Sequence, residues 1–127
     1  MNTSDSNSGA AKPVVDFEQL QSASGDDPAL LRELVDLYFR QAGEIMDGLE
    51  KALAEGAVSE VDRLAHKFTG SSLACGFWAM VPSLRQLEHN AKDGRLDGAA
   101  ELFAESARQL EIVRSHINEY LSKLPPT

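Results

Sequence analysis

Several features that mark particular classes of protein are scarce or absent in this sequence of 127 residues. Its single cysteine, Cys75, excludes an intramolecular disulfide and any multi-cysteine metal site. Twelve basic residues stand against twenty acidic ones, and the net charge of −8 argues against a broad surface for nucleic acid or anionic lipid. No run approaches the roughly 18 apolar residues of a membrane span, and the N-terminus lacks the layout of a signal peptide. We therefore expect a soluble, cytoplasmic protein.

Motifs for nucleotide and metal chemistry are missing as well. There is no G-x-x-x-x-G-K-[ST] loop and no kinase-like motif, so we do not expect an enzyme that phosphorylates itself from ATP. None of the three histidines has a glutamate three residues before it, as a di-metal centre in a helical bundle requires. Ser71 and Ser72 lack a credible base, which argues against a serine hydrolase. We expect no cofactor and no metal ligand.

The residues that are present favour helices around a single core. Hydrophobic residues make up 43% of the chain but aromatic ones only 6%, and apolar positions recur at spacings of three and four over four long segments. The predicted helices run over about 28–54, 58–76, 78–93 and 97–123. Connections of about three to six residues imply antiparallel neighbours. The prediction is an all-α, up-down-up-down four-helix bundle over residues 15–124, with a short extra N-terminal helix and a disordered tail over 1–14.

The stretch Val61–Gly76 combines a buried face with an exposed histidine. At about 100° per residue its apolar side chains fall on one stripe, formed by Val61, Leu64, Ala65 and Phe68. His66 points almost the opposite way. An imidazole is a competent nucleophile near neutral pH and can take a phosphoryl group on a ring nitrogen. The periodicity alone is also typical of a histidine that is merely solvated.

The segment Ala65–Ser72, AHKFTGSS, resembles the signature of histidine-containing phosphotransfer (HPt) domains, together with Gly76 and the later Leu87-Glu88 pair. The similarity of pattern extends from about Phe17 to Leu121. It implies that His66 is the phosphoacceptor. The family carries a phosphoryl group from a receiver aspartate of a hybrid sensor kinase to an aspartate of a response regulator, with Mg²⁺ on the receiver. The alanine before His66 favours the bacterial members, and the resemblance implies a monomer.

Five residues are predicted to support the imidazole or the phosphoryl group. Asp62, one turn before His66, would accept a hydrogen bond from the second ring nitrogen. Where the family usually has a lysine three residues after the histidine, this chain has Thr69, which can donate one neutral hydrogen bond. We therefore expect either a less stabilised phosphohistidine or positive charge from one of the basic residues nearby, namely Arg63, Lys67 or Arg85.

The receiver is predicted to dock on the face of the helix that carries His66. Ser59, Gly70 and Leu73 share that face, and the bare backbone of Gly70 would leave room for a partner to come close. Two alternatives stay open. The chain could be a phosphorylation-independent module that sequesters or inhibits a receiver or kinase, a possibility that Thr69 supports, or a purely structural bundle that binds no receiver.

Overall fold

The computed structural model describes residues 12–125. Five α-helices and one short 3₁₀ turn make up most of this part of the chain. In chain order they are α1 (Phe17–Ala23), α2 (Pro28–Glu55), α3 (Val58–Cys75), the 3₁₀ turn (Trp78–Met80), α4 (Val81–Lys92) and α5 (Ala99–Ser122). None of the helices within these described residues is long and apolar enough to cross a membrane.

The long helix α2 begins and ends where its sequence directs. The side chain of Asp27 accepts hydrogen bonds from the backbone N–H groups of Ala29 and Leu30, at 2.9 and 3.5 Å. Pro28 occupies the first helical position, where a missing N–H costs nothing. At the other end, Gly56 adopts a left-handed conformation with φ 66°, which stops the helix. The predicted start at Pro28 is confirmed.

Gly76 ends α3 and fixes α1 against it. Its φ is 78°, a conformation that side chains other than glycine's rarely adopt. Its carbonyl accepts a hydrogen bond from the backbone N–H of Asp16 at 2.8 Å. A Cβ atom at position 76 would lie 2.8 Å from the Asp16 carbonyl oxygen, too close for any other residue. The same Asp16 caps α1 through the N–H of Gln19, so one glycine joins the end of α3 to the start of α1.

Side-chain contacts between neighbouring helices show that the four long helices alternate in direction. On α2 and α3, Tyr38 contacts Ser72, while Gly48 lies against Leu64. On α3 and α4, His66 pairs with Glu88 and Asp62 pairs with Lys92. On α2 and α5, Arg32 reaches the carbonyl of Leu121, and Phe39 stacks under Arg114. In each pair of helices the number rises on one as it falls on the other. The predicted antiparallel four-helix bundle with an extra N-terminal helix is confirmed.

The core is aliphatic, with an aromatic cluster near the 3₁₀ turn. Tyr38 packs edge-on to Phe77 with 4.6 Å between the ring centroids, and its hydroxyl is 2.7 Å from the Ser72 hydroxyl. Phe68 and Phe77 are fully buried. Helix α1 closes this end of the bundle, because Phe17 stacks on Tyr120 of α5. Helix α3, which carries His66, therefore packs against a core that holds its backbone in place.

The structure shifts two predicted boundaries, whereas α3 begins at Val58 as predicted. The N-cap of α3 is Ala57, and no side chain caps the helix. The segment after Gly76 starts as a 3₁₀ turn, with α4 following from Val81. The last helix begins at Ala99, two residues after the predicted start.

The predicted disordered tail over 1–14 overlaps the structure only in part. Residues 1–11 lie outside the described part of the chain, so disorder there stays a prediction. In residues 12–14, Lys12 lies over the ring of Trp78 at 4.2 Å, and the Val14 carbonyl accepts a hydrogen bond from Ala79 N–H at 3.2 Å. Val14 also packs against the core.

Candidate functional site

His66 is held out from the middle of α3 into solvent. Its side chain is 75% exposed, whereas its neighbours Leu64, Ala65 and Phe68 are buried against the bundle. The helical spacing of about 100° per residue separates these two sets. The predicted placement of the imidazole on the outer face of a buried helix is confirmed.

The ring nitrogen Nδ1 of His66 lies 2.7 Å from Oε2 of Glu88 on α4. An ionised carboxylate can only accept hydrogen bonds, so Nδ1 carries the proton and donates it. The lone pair of the neutral imidazole is therefore on Nε2. No hydrogen bond from Nε2 to another residue of the described chain is found. The arrangement leaves one ring nitrogen fixed and the other available to a reaction partner.

Glu88 is suited to this role by its surroundings. Its side chain is only 14% exposed. Burial is the largest single influence on its pKa and acts to raise it, but hydrogen bonds from His66 and Lys92 act against burial. The combined effect lowers the pKa of Glu88 below its ordinary value. The carboxylate is consequently charged at neutral pH and accepts the Nδ1 proton.

A lysine on α4 connects Glu88 to α3. Lys92 Nζ lies 3.1 Å from Glu88 Oε2 and 3.2 Å from Asp62 Oδ1. These contacts raise the pKa of Lys92, first through Glu88 and then through Asp62. The ammonium therefore bridges a carboxylate on each helix. The structure differs here from the sequence-based expectation, because Asp62 contacts Lys92 and Glu88 takes the place beside the imidazole.

Thr69 is turned away from solvent and from the imidazole. It is only 6% exposed, and its hydroxyl donates a hydrogen bond to the carbonyl of Ala65 at 2.8 Å. Threonine side chains in helices often make this bond to the carbonyl four residues earlier. The expectation that Thr69 donates to a phosphoryl group at His66 does not agree with this geometry, since its one proton is already used.

The three basic residues expected near the phosphoryl group lie in different settings. Arg63 forms an exposed ion pair with Glu60, with Nη2 2.6 Å from the carboxylate oxygen, so its charge is offset on its own helix. Lys67 is exposed and makes no ion pair with another described residue. Arg85 is exposed on α4 and lines a shallow groove together with Glu88, His89 and Lys92. Within residues 12–125, no hydrogen bond or ion pair joins the side chain of any of the three to His66.

The predicted docking residues lie along the outer side of α3. Ser59 and Gly70 are exposed, and Leu73 is partly exposed. A Cβ atom built on Gly70 would meet nothing within 4 Å, so the glycine is not required by packing inside the monomer. Glycine in a helix interior costs about 0.5–1 kcal/mol relative to alanine. The helix therefore carries an unfavourable residue one turn from His66 without a structural need for it.

Across residues 12–125 there is no group of three or more His, Cys, Asp or Glu side chains placed to hold a metal ion. The chemistry available at the site is that of an oriented, exposed imidazole beside an acceptor carboxylate. Such a group can act as a nucleophile toward an electrophile brought by another molecule.

Sequence reasoning did not assign two of the side chains that form this site. Glu88 was noticed only as part of the Leu87-Glu88 pair, without a role, and Lys92 not at all. Both come from α4, and Glu88 is 22 residues from His66. The spacing of residues within α3 carries no information on such a contact.

Fold and site together define a helical bundle that presents one oriented histidine. Comparison with known proteins gives the same class. The family model for the Hpt domain matches residues 33–124. The chain belongs to the Hpt domain family, the proteins of histidine-containing phosphotransfer.

Individual relatives are distant in sequence. Histidine-containing phosphotransfer protein 4 of Arabidopsis thaliana is 21% identical over 108 residues, which is 84% of each chain. The crystal structure of histidine-containing phosphotransfer protein B from Pseudomonas aeruginosa is similar in fold, with a TM-score of 0.82 and 24% identity. That match covers 91% of this chain and all of the other.

Proposed function

We propose that this protein is a phosphorelay intermediate in which His66 accepts a phosphoryl group from a receiver-domain aspartate of a hybrid sensor kinase. It then passes the group to an aspartate of a response regulator. The observation that carries the proposal is the exposed imidazole whose Nδ1 donates to Glu88 at 2.7 Å. Family membership supports the same role.

In this proposal the lone pair of His66 Nε2 attacks the phosphorus of the aspartyl phosphate. The N–P bond forms as the aspartyl O–P bond breaks, and the aspartate leaves as a carboxylate. The ring then bears a positive charge, because Nδ1 keeps its proton while Nε2 is bonded to phosphorus. Glu88, one hydrogen bond away, offsets that charge. The reverse reaction on a second receiver returns the neutral imidazole, so the protein is a carrier.

The receiver contributes what this chain is not expected to supply. Its aspartate brings the phosphoryl group, and its Mg²⁺ would hold the phosphoryl oxygens during transfer. We propose no cofactor bound to this chain itself. The protein would act in the cytoplasm as a monomer, and it would not use ATP itself.

The surface around His66 supports docking of such a partner. Gly70 leaves the backbone open one turn beyond the histidine. Two turns beyond, Ala74 lines an apolar groove with Leu34 and Leu37 of α2. Leu37 is 43% exposed and so adds accessible apolar surface to this groove. The groove lies about 12 Å along α3 from His66, at 1.5 Å per residue, within the reach of one receiver helix.

The test is phosphoryl transfer from a receiver domain phosphorylated on its aspartate. Wild type is expected to take up an acid-labile, base-stable label, and His66→Gln none. His89→Gln is the matched control, because His89 is also an exposed histidine, 69% accessible, on the neighbouring helix. We expect this variant to be labelled like wild type.

Label on His66→Gln, or its loss in His89→Gln, would contradict the proposal. If wild type binds the receiver but takes up no label, the carrier role fails. The phosphorylation-independent binding module then becomes the better account, and Thr69→Lys becomes the next variant to test.

A further inference from the structure

Within the described residues, no cation of helix α3 is held at His66 by a hydrogen bond or an ion pair. Thr69 stands where the family usually has a lysine, and its side chain is buried and bonded to Ala65. Arg63 is paired with Glu60. Lys67 is rotated by about 100° from His66 around the helix. Among the described residues, this helix therefore holds no cation in a fixed position beside the imidazole.

A cation from α4 shares the hydrogen-bond partner of the imidazole. Lys92 Nζ and His66 Nδ1 contact the same atom, Glu88 Oε2, at 3.1 and 2.7 Å. The ammonium and the imidazole thus share one carboxylate oxygen as hydrogen-bond acceptor. The second contact of Lys92, to Asp62 on α3 at 3.2 Å, holds the ammonium from the other side.

We propose that Lys92 is the positioning residue of this site. Its ammonium keeps the Glu88 carboxylate on Nδ1 of His66 and adds a positive charge from α4 in a fixed position. The proposal rests on His66 being the phosphoacceptor, as argued above. It assigns Lys92 no direct contact with the phosphoryl group, only the orientation of the imidazole and the balance of charge around it.

Without Lys92, two carboxylates would face each other across the helices with no cation between them. Glu88 and Asp62 come from α4 and α3, and their side chains are 14% and 30% exposed. Their repulsion would loosen Glu88 from the imidazole, and their net charge would oppose the arrival of an aspartyl phosphate. Since Lys92 is itself half exposed, at 53%, solvent and salt would weaken its effect but not remove it.

The first measurement reads the imidazole directly and does not require phosphorylation. In protein labelled with ¹⁵N-histidine, the nitrogen chemical shifts report which ring nitrogen of His66 carries the proton. We expect wild type to hold the proton on Nδ1, and Lys92→Met to show a clear shift toward a mixture of tautomers. Lys51→Met is the matched control, since it removes the same charge from an exposed lysine on α2 that has no ion pair within the described chain and no predicted role at the site. It should resemble wild type.

The second measurement is the maximal rate of transfer from a phosphorylated receiver, at saturating receiver concentration. Loss of an exposed ion pair changes an equilibrium constant by up to about fivefold. We expect an effect of this size on the transfer rate, so that Lys92→Met is about three- to fivefold slower than wild type. Lys51→Met should change the maximal rate by less than about twofold. Lys92→Arg, which keeps the charge, should restore most of the rate.

The proposal is overturned if Lys92→Met matches Lys51→Met in both measurements, or if Lys92→Arg is as slow as Lys92→Met. A failure of the carrier role would look different, because wild type itself would then take up no label. In that case the tautomer measurement still decides whether Lys92 positions the imidazole.

Discussion

The two faces of α3 differ in their surroundings, since one packs into the bundle and the other is exposed to solvent. The buried face consists of residues that pack into the bundle, namely Val61, Leu64, Ala65, Phe68, Ser72 and Cys75. The exposed face carries His66, Lys67 and Gly70. On the buried face each side chain is fixed by its neighbours. On the exposed face the helix keeps a histidine in solvent and a glycine that packing does not require. Successive residues of the helix are rotated by about 100°. The residues that stabilise the bundle and those proposed to take part in the chemistry therefore lie on different sides of α3.

The largest contrast should come from neighbouring positions on the two faces. Phe68 is fully buried, and Phe68→Ala is expected to lower the free energy of unfolding by about 3–5 kcal/mol because it removes core packing and leaves a cavity. Lys67→Ala, one residue earlier and exposed, should change it by no more than about 0.5 kcal/mol. Urea denaturation followed by circular dichroism measures both. Similar losses in the two variants would contradict the assignment of faces.

Gly70 should show stability and function moving in opposite directions. Gly70→Ala is expected to raise the free energy of unfolding by about 0.5–1 kcal/mol, since alanine favours the helix and its Cβ meets nothing. A methyl group forced into a packed interface costs about 1–3 kcal/mol, so binding of the receiver should weaken at least about fivefold.

Gly43 is the matched control for that prediction. It also lies within a helix, and its Cβ would meet nothing within 4 Å, but it belongs to α2. Gly43→Ala should stabilise the protein by a similar amount and leave receiver binding unchanged. Equal binding by Gly70→Ala and wild type would show that the glycine does not serve close approach of a partner.

The third prediction concerns pH and the buried face. Burial raises the pKa of the Cys75 thiol from its ordinary 9.0 to about 11. Burial likewise raises the pKa of Tyr38, although its hydrogen bond with Ser72 opposes this. A raised pKa means that the folded state holds the proton more tightly than the unfolded state. The resulting stability is complete below about pH 9 and is lost as the pH rises toward 11.

For wild type, the denaturant concentration at the midpoint of unfolding should therefore fall between pH 8 and pH 10. The fall should be smaller in Cys75→Ala, which lacks the thiol but keeps Tyr38. An equal fall in both proteins would exclude Cys75 as a source of the alkaline instability.

The smallest effect is expected at the boundary between the two faces. Thr69→Val removes the hydroxyl and nearly keeps the shape of the side chain. That hydroxyl bonds only to the carbonyl of Ala65 among the described residues and is turned away from the imidazole, so we expect less than about a twofold change in transfer rate. A much larger loss, measured against the same phosphorylated receiver, would mean that Thr69 turns outward in the complex and contacts the phosphoryl group.

The fold followed from local information in the sequence. The three-and-four spacing of apolar residues indicated the helices, and Asp27, Pro28 and Gly76 marked helix ends that the structure confirms. Thr69 shows that helical spacing alone does not predict which group a side chain binds. At three residues after His66 it was expected at the site, but a short side chain at the border of the faces bonds to its own backbone instead.

The partner of the imidazole was wrongly expected on its own helix for a related reason. Asp62 is the nearest carboxylate by spacing along α3, yet packing brings Glu88 from α4 closer to the ring. The register between two helices is set by their contacts and not by either sequence alone. Long-range pairs such as Glu88 with His66, and Lys92 with Asp62, therefore required the three-dimensional structure.

The most direct test of the account asks which nitrogen of which histidine carries the phosphoryl group. Protein with ¹⁵N-labelled histidine, phosphorylated by a receiver, can be examined by ³¹P and ¹⁵N NMR. The account predicts phosphorus on Nε2 of His66, with the proton still on Nδ1 beside Glu88. Phosphorus on Nδ1, or on a histidine other than His66, would contradict it.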